Sequence, residues 1–100
     1  MTSTLQNQIV KHLMELGTWI PAPELTDRKR WQNQRNFTYY TAQTVGRCLR
    51  DTEAPEDKNE ESKIAAKKCG KTVQYKYLPP HLRARYIRKS DRTDEKLFRN

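Results

Sequence analysis

Glycine and cysteine are scarce in this 100-residue chain, and long apolar runs are missing. Gly17, Gly46 and Gly70 are isolated, which argues against a glycine-rich loop that cradles phosphate. Cys48 and Cys69 lack a Cys-x-x-Cys spacing and a nearby histidine pair, so we expect no zinc site. No window reaches the roughly 18 apolar residues of a membrane span. We therefore expect a cytoplasmic protein that has no contact with a membrane.

Recognisable catalytic motifs are also missing. His12 and His81 have no serine, cysteine or carboxylate partner at a spacing typical of a catalytic site. Paired carboxylates occur only in one acidic segment, where solvation is the default interpretation. We expect that the chain is not an enzyme and that it needs no cofactor.

Positive charge exceeds negative charge, and the two signs are unevenly distributed. The chain has 20 Lys and Arg against 12 Asp and Glu, a net charge of +8. Half of the acids fall within residues 51–61, whereas residues 28–50 and 63–89 contain no acid. Such charge attracts polyanions in general. The acidic composition and Pro55 predict a solvated loop over about residues 52–62, between two basic blocks.

Apolar residues at helical spacing predict a first helix that starts at Ser3 or Thr4 and stops at Gly17. Its apolar stripe consists of Leu5, Ile9, Val10, Leu13 and Leu16. Residues 18–20 are expected to be extended, because Pro21 excludes helical geometry before it. Pro23 and Glu24 suit the first turn of a second helix.

Residues 26–40 have no clean period, and we expect them to continue the second helix and then turn. Aromatic side chains in such a short chain contribute a large apolar area to a core. We therefore assign five side chains between residues 19 and 37 mainly to the core: Trp19, Ile20, Leu25, Trp31 and Phe37. Tyr39 and Tyr40 can donate to phosphates, but packing is the favoured interpretation.

Residues 41–50 predict a third helix with two different faces, capped by Thr38 or Thr41 and ending near Asp51 or Glu53. The inward stripe is Ala42, Val45, Cys48 and Leu49. The outward side chains are Gln43, Thr44, Arg47 and Arg50. The same pattern also fits an ordinary helix with a solvated face.

A basic hairpin is predicted after the acidic segment, with strands at residues 64–69 and 72–78 and a tight turn at Gly70. A rival interpretation makes residues 60–68 a fourth helix. Pro79 and Pro80 close the second strand, and Pro80 opens a possible C-terminal helix over residues 81–89. Residues 90–100 have the composition of a polar tail.

Helix, short strand, helix, helix and basic hairpin, in that order, resemble the winged helix-turn-helix superfamily. The resemblance covers roughly residues 5–78 and rests on Trp19-Ile20-Pro21, on the run from Thr41 to Arg50, and on Lys-Lys-Cys-Gly-Lys before Thr-Val-Gln-Tyr-Lys-Tyr-Leu. It implies a mainly α fold with a small β hairpin, in which a three-helix core and a wing form one domain over residues 1–89. It also implies that the third helix lies in the major groove and that the wing touches the neighbouring backbone.

The chemistry of the third helix is compatible with that role, because Arg pairs with guanine, Gln with adenine, and the Thr methyl with the thymine methyl. Gln43, Thr44 and Arg47 are therefore the base-reading candidates. The candidates for phosphate contacts are Thr41, Arg50, Lys67, Lys68 and Lys71. Arg28, Lys29, Arg30 and Arg35 extend this basic footprint.

Three functions follow as hypotheses. The leading one is sequence-specific binding of double-stranded DNA by a small transcriptional regulator, which needs a homodimer or a partner protein for a long site. The alternative is a winged-helix interaction module or inhibitor that binds an acidic protein or nucleoprotein surface. The third is RNA or single-strand binding through Tyr75, Tyr77 and residues 83–88, although packing under the wing also explains the two tyrosines.

Overall fold

Four helices and three strands make up the described part of the protein, which in this computed structural model comprises residues 4–33, 35–57 and 59–86. Their order is α1 (Thr4–Leu16), β1 (Ile20–Pro21), α2 (Ala22–Thr26), α3 (Ala42–Glu53), β2 (Ile64–Cys69), β3 (Thr72–Tyr77) and α4 (Pro80–Arg83). The strands form one antiparallel sheet in the order β1-β3-β2. The fold is therefore a small α+β fold, in which the predicted hairpin gains a third strand.

The first helix follows its predicted bounds. Leu5, Ile9 and Leu13 recur every four residues and are buried. The helix ends at Leu16 and is followed by Gly17, whose positive φ of 63° suits glycine and whose N–H donates to the Leu13 carbonyl over 3.0 Å. Leu16 was expected in the core but is 45% exposed, because it lies in the last turn, beyond the buried part of the stripe.

The expected continuation of the second helix is wrong. Helix α2 ends at Thr26, and the chain then turns so that buried Trp31 donates from Nε1 to the Leu25 carbonyl over 2.6 Å. Residues 31–33 and 35–40 form a hairpin arm, in which Gln32 bridges Tyr39 and the Tyr40 N–H donates to the Trp31 carbonyl over 2.8 Å. Because the residues after Leu25 are polar, a longer helix would have no apolar face to bury. When the chain turns back instead, the Trp31 side chain is buried in the core.

Two of the aromatic side chains expected to pack are instead exposed on this arm. Phe37 is 76% exposed and Tyr39 is 56% exposed, because both lie on the part of the hairpin that projects from the core. Trp19, Ile20 and Tyr40 are half-buried, whereas Leu25 and Trp31 are buried as predicted.

Helix α3 confirms the predicted cap and end. Thr41 accepts a hydrogen bond from the Thr44 N–H over 3.2 Å, and the helix ends at Glu53. Val45 and Leu49 are buried and Cys48 is half-buried, whereas Ala42 is exposed because it lies in the first turn. The helix thus has the two faces that its sequence predicts, with a narrower buried stripe.

The predicted hairpin is present, and the rival helix over residues 60–68 is wrong. Strand β2 pairs with β3 from Ile64 opposite Tyr77 to Cys69 opposite Thr72. Gly70, with φ of 64°, and Lys71 form the turn. Ile64, Ala65 and Ala66 are buried, so pairing and burial override the weak strand preference of alanine.

The solvated loop in the acidic segment is shorter than the predicted loop over residues 52–62. Thr52 and Glu53 belong to α3 and are buried, and Ser62 is buried at the other end. The Ser62 hydroxyl donates to the Glu53 carbonyl, and the Thr52 hydroxyl donates to the Cys48 carbonyl over 2.6 Å. The two ends of the segment are therefore held together beside the core.

The chain after the sheet returns to the outer edge of β2. Helix α4 ends at Arg83, whereas the C-terminal helix was predicted to extend over residues 81–89. Residues 87–89 of that prediction, and the predicted tail, lie outside the described ranges. The Ala66 N–H donates to the Tyr86 hydroxyl over 2.9 Å, and that hydroxyl donates to Glu53 Oε2 over 2.5 Å. Tyr86 therefore joins the strand edge to the end of α3.

Candidate nucleic-acid interface

The outward face of α3 carries one row of long polar side chains, which we call the α3 outer row: Gln43, Arg47 and Arg50. These residues are spaced by four and three positions, so they lie along one line of the helix. All three are exposed, and the opposite side of the helix buries Val45 and Leu49. Within the ranges that the structure describes, neither Arg47 nor Arg50 forms an ion pair. Both guanidinium groups are thus available to an anionic ligand.

Thr44, the third predicted base-reading residue, lies on the flank of α3 rather than in the outer row. It follows Gln43 by one residue and is therefore turned by about 100° around the helix. Its hydroxyl accepts from the Thr41 hydroxyl over 2.9 Å, so both side chains take part in the cap. Thr44 borders a shallow cavity of about 260 Å³ together with Tyr40 and Arg47.

The other flank of α3 faces a wider cleft, the helix–hairpin cleft, of about 620 Å³. It lies between α2, α3 and the start of β3, and its lining includes Gly46, Arg50, Lys71 and Val73. Arg50 Nη1 lies close to Gly46, so this side chain runs back along the cleft side of the helix. Arg50 and Lys71 place positive charge on both walls.

The deep end of the helix–hairpin cleft holds a buried carboxylate and a phenol. Glu53 is 3% exposed and Tyr75 is 6% exposed, and both line the cleft. Burial and the negative charge of Glu53 raise the pKa of the Tyr75 hydroxyl, while Arg50 acts in the opposite direction. Tyr75 is therefore neutral at physiological pH, and its burial favours packing over stacking on an unpaired base.

The hairpin separates the predicted lysines onto different sides. Lys68 lies opposite Val73, and cross-strand partners share a face, so Lys68 is on the side of the cleft. Lys67 lies on the reverse face, where its Nζ is 4.5 Å from the centroid of the Trp19 ring. Lys76 Nζ also approaches this ring, at 6.0 Å. Lys68 and Lys71 thus accompany the α3 outer row, and Lys67 does not.

The predicted cations before α3 lie in the turn that follows α2 and in the hairpin arm. Arg28 forms an ion pair with Glu24 over 3.8 Å, and both side chains are well exposed. Lys29 Nζ lies 4.8 Å from the centroid of Trp31, and Arg30 Cζ lies 5.6 Å from that of Tyr39. Arg35 is exposed near the arm tip. These four residues precede the Thr41 cap of α3 along the chain and contact different partners.

Several features of this region were not predicted from the sequence. The helix–hairpin cleft, the stacking of Lys67 and Lys76 on Trp19, and the burial of Glu53 all depend on contacts between distant residues. Only the separation of Lys67 from Lys68 has a local signature, the period of two along a strand.

Burial raises the pKa of the Cys48 thiol, so this thiol is protonated and poorly reactive.

Replacing Gly46 with alanine is expected to raise the free energy of unfolding by about 0.5–1 kcal/mol, because glycine is unfavourable inside a helix. A Cβ at this position meets Arg50 Nη1 at 3.7 Å and Thr26 Cγ2 at 3.9 Å, which are ordinary contacts. Gly17→Ala is the matched control and is expected to destabilise, since φ there is 63°. Urea unfolding of both variants measures the difference, and a destabilised Gly46→Ala protein contradicts the expectation.

Comparisons of the chain with protein-family models, with curated proteins and with solved structures find no match. Within the described ranges, none of the helices is both long enough and apolar enough to cross a bilayer.

Proposed function

We propose that this chain is a winged helix-turn-helix protein that binds duplex DNA sequence-specifically, as a small transcriptional regulator. The order α1-β1-α2-α3-β2-β3 and the sheet order β1-β3-β2 support this assignment, with β2 and β3 as the wing. In this proposal α3 is the recognition helix, and the hairpin arm replaces the short turn that precedes it.

The observation that carries the proposal is the α3 outer row. Gln43, Arg47 and Arg50 present donors and acceptors along one exposed line, on a helix whose opposite face is fixed in the core. A helix fits the major groove, where Arg forms two hydrogen bonds to guanine and Gln forms two to adenine. In this proposal Gln43 and Arg47 read bases, Thr44 contributes from the flank, and Arg50 contacts the backbone.

The wing supplies contacts that do not depend on sequence. Lys71 is at the tip of the hairpin and lines the cleft, and Lys68 lies on the same side. In this proposal the sugar-phosphate backbone lies over the helix–hairpin cleft, between Arg50 on α3 and Lys71 at the hairpin tip. Each phosphate neutralised there releases counterions and steepens the dependence of binding on salt.

A selection of bound duplexes from a random pool tests the proposed function. Recovery of a shared short motif, bound with a steep salt dependence, is the expected result. Weak binding that ignores sequence at every salt concentration contradicts sequence-specific recognition. The recovered motif then serves as the ligand in all variant measurements.

Removing both wing lysines, in the variant Lys68→Ala/Lys71→Ala, is expected to lower the affinity for all duplexes equally and to leave the preferred motif unchanged. Two lost phosphate contacts reduce the slope of log K against log salt by about 1.8. Lys67→Ala is the matched control, because this lysine lies over Trp19 on the reverse face of the sheet. An equal loss of slope in the control disproves the assigned role of the wing face.

A second candidate function is an interaction module that binds an acidic protein or nucleoprotein surface. The observation that favours it is the mixed charge of α3: Arg47 and Arg50 can pair with carboxylates of an acidic protein surface, whereas Asp51, an exposed carboxylate four residues after Arg47, repels a phosphate there. Retention of one protein partner after nuclease treatment, by a chain that shifts no duplex in a gel, supports this function. Loss of the partner on nuclease treatment supports DNA binding.

A further inference from the structure

The hairpin arm exposes the two least buried large hydrophobic side chains among the described residues. Phe37 is 76% exposed and Tyr39 is 56% exposed, compared with 51% for Met14. The arm is nevertheless held by main-chain hydrogen bonds, from the Asn33 N–H to the Thr38 carbonyl over 2.7 Å and from the Phe37 N–H to the Asn33 carbonyl over 2.8 Å. A hairpin held by main-chain hydrogen bonds therefore presents aromatic rings to solvent.

The backbone of Phe37 is in a conformation that phenylalanine rarely adopts. Its φ is 61°, in the left-handed region that glycine and asparagine enter more readily. Side chains on both sides hold this turn: Asn33 Oδ1 accepts from the Arg35 N–H over 2.9 Å, and Asn36 Oδ1 accepts from the Thr38 hydroxyl over 2.6 Å. Neither packing nor backbone geometry explains the aromatic ring, and strained residues without a structural role indicate function.

The charge around the ring indicates an anionic partner. Arg35 is exposed two residues before Phe37, and the Arg30 guanidinium lies against Tyr39. No acidic residue occurs between residues 28 and 50. Exposed aromatic rings in a segment whose only charges are positive match nucleic acid, which offers a flat base to the ring and phosphates to the arginines.

The arm is also within reach of a duplex that contacts α3. Phe37 precedes the Thr41 cap by four residues, so the two α-carbons are at most about 14 Å apart. The major groove is about 12 Å wide, so Phe37 lies near the border of a groove that holds the first turn of α3. Tyr40, at the base of the arm, borders the cavity on the Thr44 flank of α3, opposite the flank that faces Lys71. The hairpin arm and the β2–β3 hairpin thus lie on different sides of the α3 outer row.

We propose that the hairpin arm is a second DNA-contacting element, in which Phe37 stacks on a base at an opened step next to the motif bound by α3. The proposal rests on duplex binding through α3. Arg35 and Arg30 contact the phosphates of that step, and Tyr39 orients Arg30 through the contact between its ring and the guanidinium. Apolar wedges of this kind unstack a base step and bend the duplex.

The experiment uses the full chain and duplexes of about three helical turns that carry the selected motif, with a fluorescent adenine analogue placed at successive flanking positions. The wild-type protein is expected to raise the fluorescence of the analogue at one flanking step. Phe37→Asn is expected to abolish that rise and to weaken binding about tenfold, the scale of one lost base–aromatic stack. Its thermal midpoint is expected to stay equal or rise, because asparagine tolerates the left-handed conformation.

Met14→Asn is the matched control, since it also removes an exposed hydrophobic side chain, and it is expected to leave fluorescence and affinity unchanged. If Phe37→Asn keeps wild-type fluorescence and affinity while Arg47→Ala weakens binding, the arm proposal is wrong and duplex binding by α3 stands. If the wild-type chain binds no duplex, both proposals fail. If Phe37→Asn releases a protein partner and leaves DNA binding intact, the arm is a protein-docking element and the proposal is overturned.

Discussion

Trp31→Ala is expected to lower the free energy of unfolding by about 3–5 kcal/mol, the usual loss when a large buried aromatic residue is truncated in a core. Trp31 is 3% exposed, and its indole N–H donates to the Leu25 carbonyl at the end of α2. The ring of His12 packs edge-on against it, with centroids 5.5 Å apart. Burial and the nearby Lys29 lower the pKa of His12, so a neutral imidazole makes this contact near neutral pH. Small domains have a total stability of only about 5–15 kcal/mol, so the variant is expected to lose much of its cooperative unfolding transition.

Urea unfolding followed by circular dichroism measures the loss, and Trp19→Ala is the matched control. Trp19 is half-buried on the reverse face of the sheet, with Lys67 and Lys76 against its ring. Its truncation removes fewer contacts and is expected to have a clearly smaller effect. Trp31→Phe separates the two contributions, because it retains most of the apolar volume and leaves the Leu25 carbonyl without its donor, at a cost of about 1–3 kcal/mol. Equal losses in Trp19→Ala and Trp31→Ala contradict the assigned role of Trp31.

The elements that the sequence predicts correctly are those whose evidence is local. Leu5, Ile9 and Leu13 mark α1 by their spacing, and Thr41 marks the start of α3 because its hydroxyl can cap only the residues that follow it. The turn at Gly70 is equally local. In each case the interaction that decides the structure joins residues that are close in the chain.

The predictions that are wrong depend on interactions over longer distances. The hairpin arm forms because Trp31 packs against the end of α2 and against α1, where Gln8 also donates to the Gln32 carbonyl over 3.0 Å. Glu53 is buried rather than solvated because Tyr86, 33 residues later, donates to its carboxylate. Composition assigns an acidic residue to a solvated loop, and only the folded chain supplies the donor that offsets its desolvation.

The predictions about the candidate site also separate into those that depend on local interactions and those that depend on contacts between distant residues. The two faces of α3 follow from helical periodicity, and Gln43, Arg47 and Arg50 are exposed as predicted. Whether Lys67, Lys68 and Lys71 act together depends on strand register, which sets Lys67 apart on the Trp19 face. The role that we propose for Phe37 depends on a backbone conformation that no pattern of residue types specifies.

Reversing two charges of the α3 outer row, in the variant Arg47→Glu/Arg50→Glu, is expected to weaken binding of the selected duplex about a thousandfold. One bidentate arginine–guanine contact contributes about 1–3 kcal/mol, and a carboxylate at each position adds repulsion from the phosphates. Neither arginine forms an ion pair within the described ranges or lies in the core, so the fold is expected to remain intact. Fluorescence anisotropy at two salt concentrations measures the loss, and circular dichroism checks the fold.

The control, Lys11→Glu/Lys67→Glu, changes the net charge by the same amount at two positions that do not belong to the α3 outer row. Lys11 is on the side of α1 opposite its buried stripe, and Lys67 lies over Trp19 on the reverse face of the sheet. A loss in the control as large as that in the arginine variant shows that binding follows net charge alone, and sequence reading by α3 is then wrong. Arg47→Ala completes the test, because it is expected to reduce the preference between the selected motif and a scrambled duplex more than it reduces affinity for the scrambled duplex. Only a residue that contacts base edges gives that asymmetry.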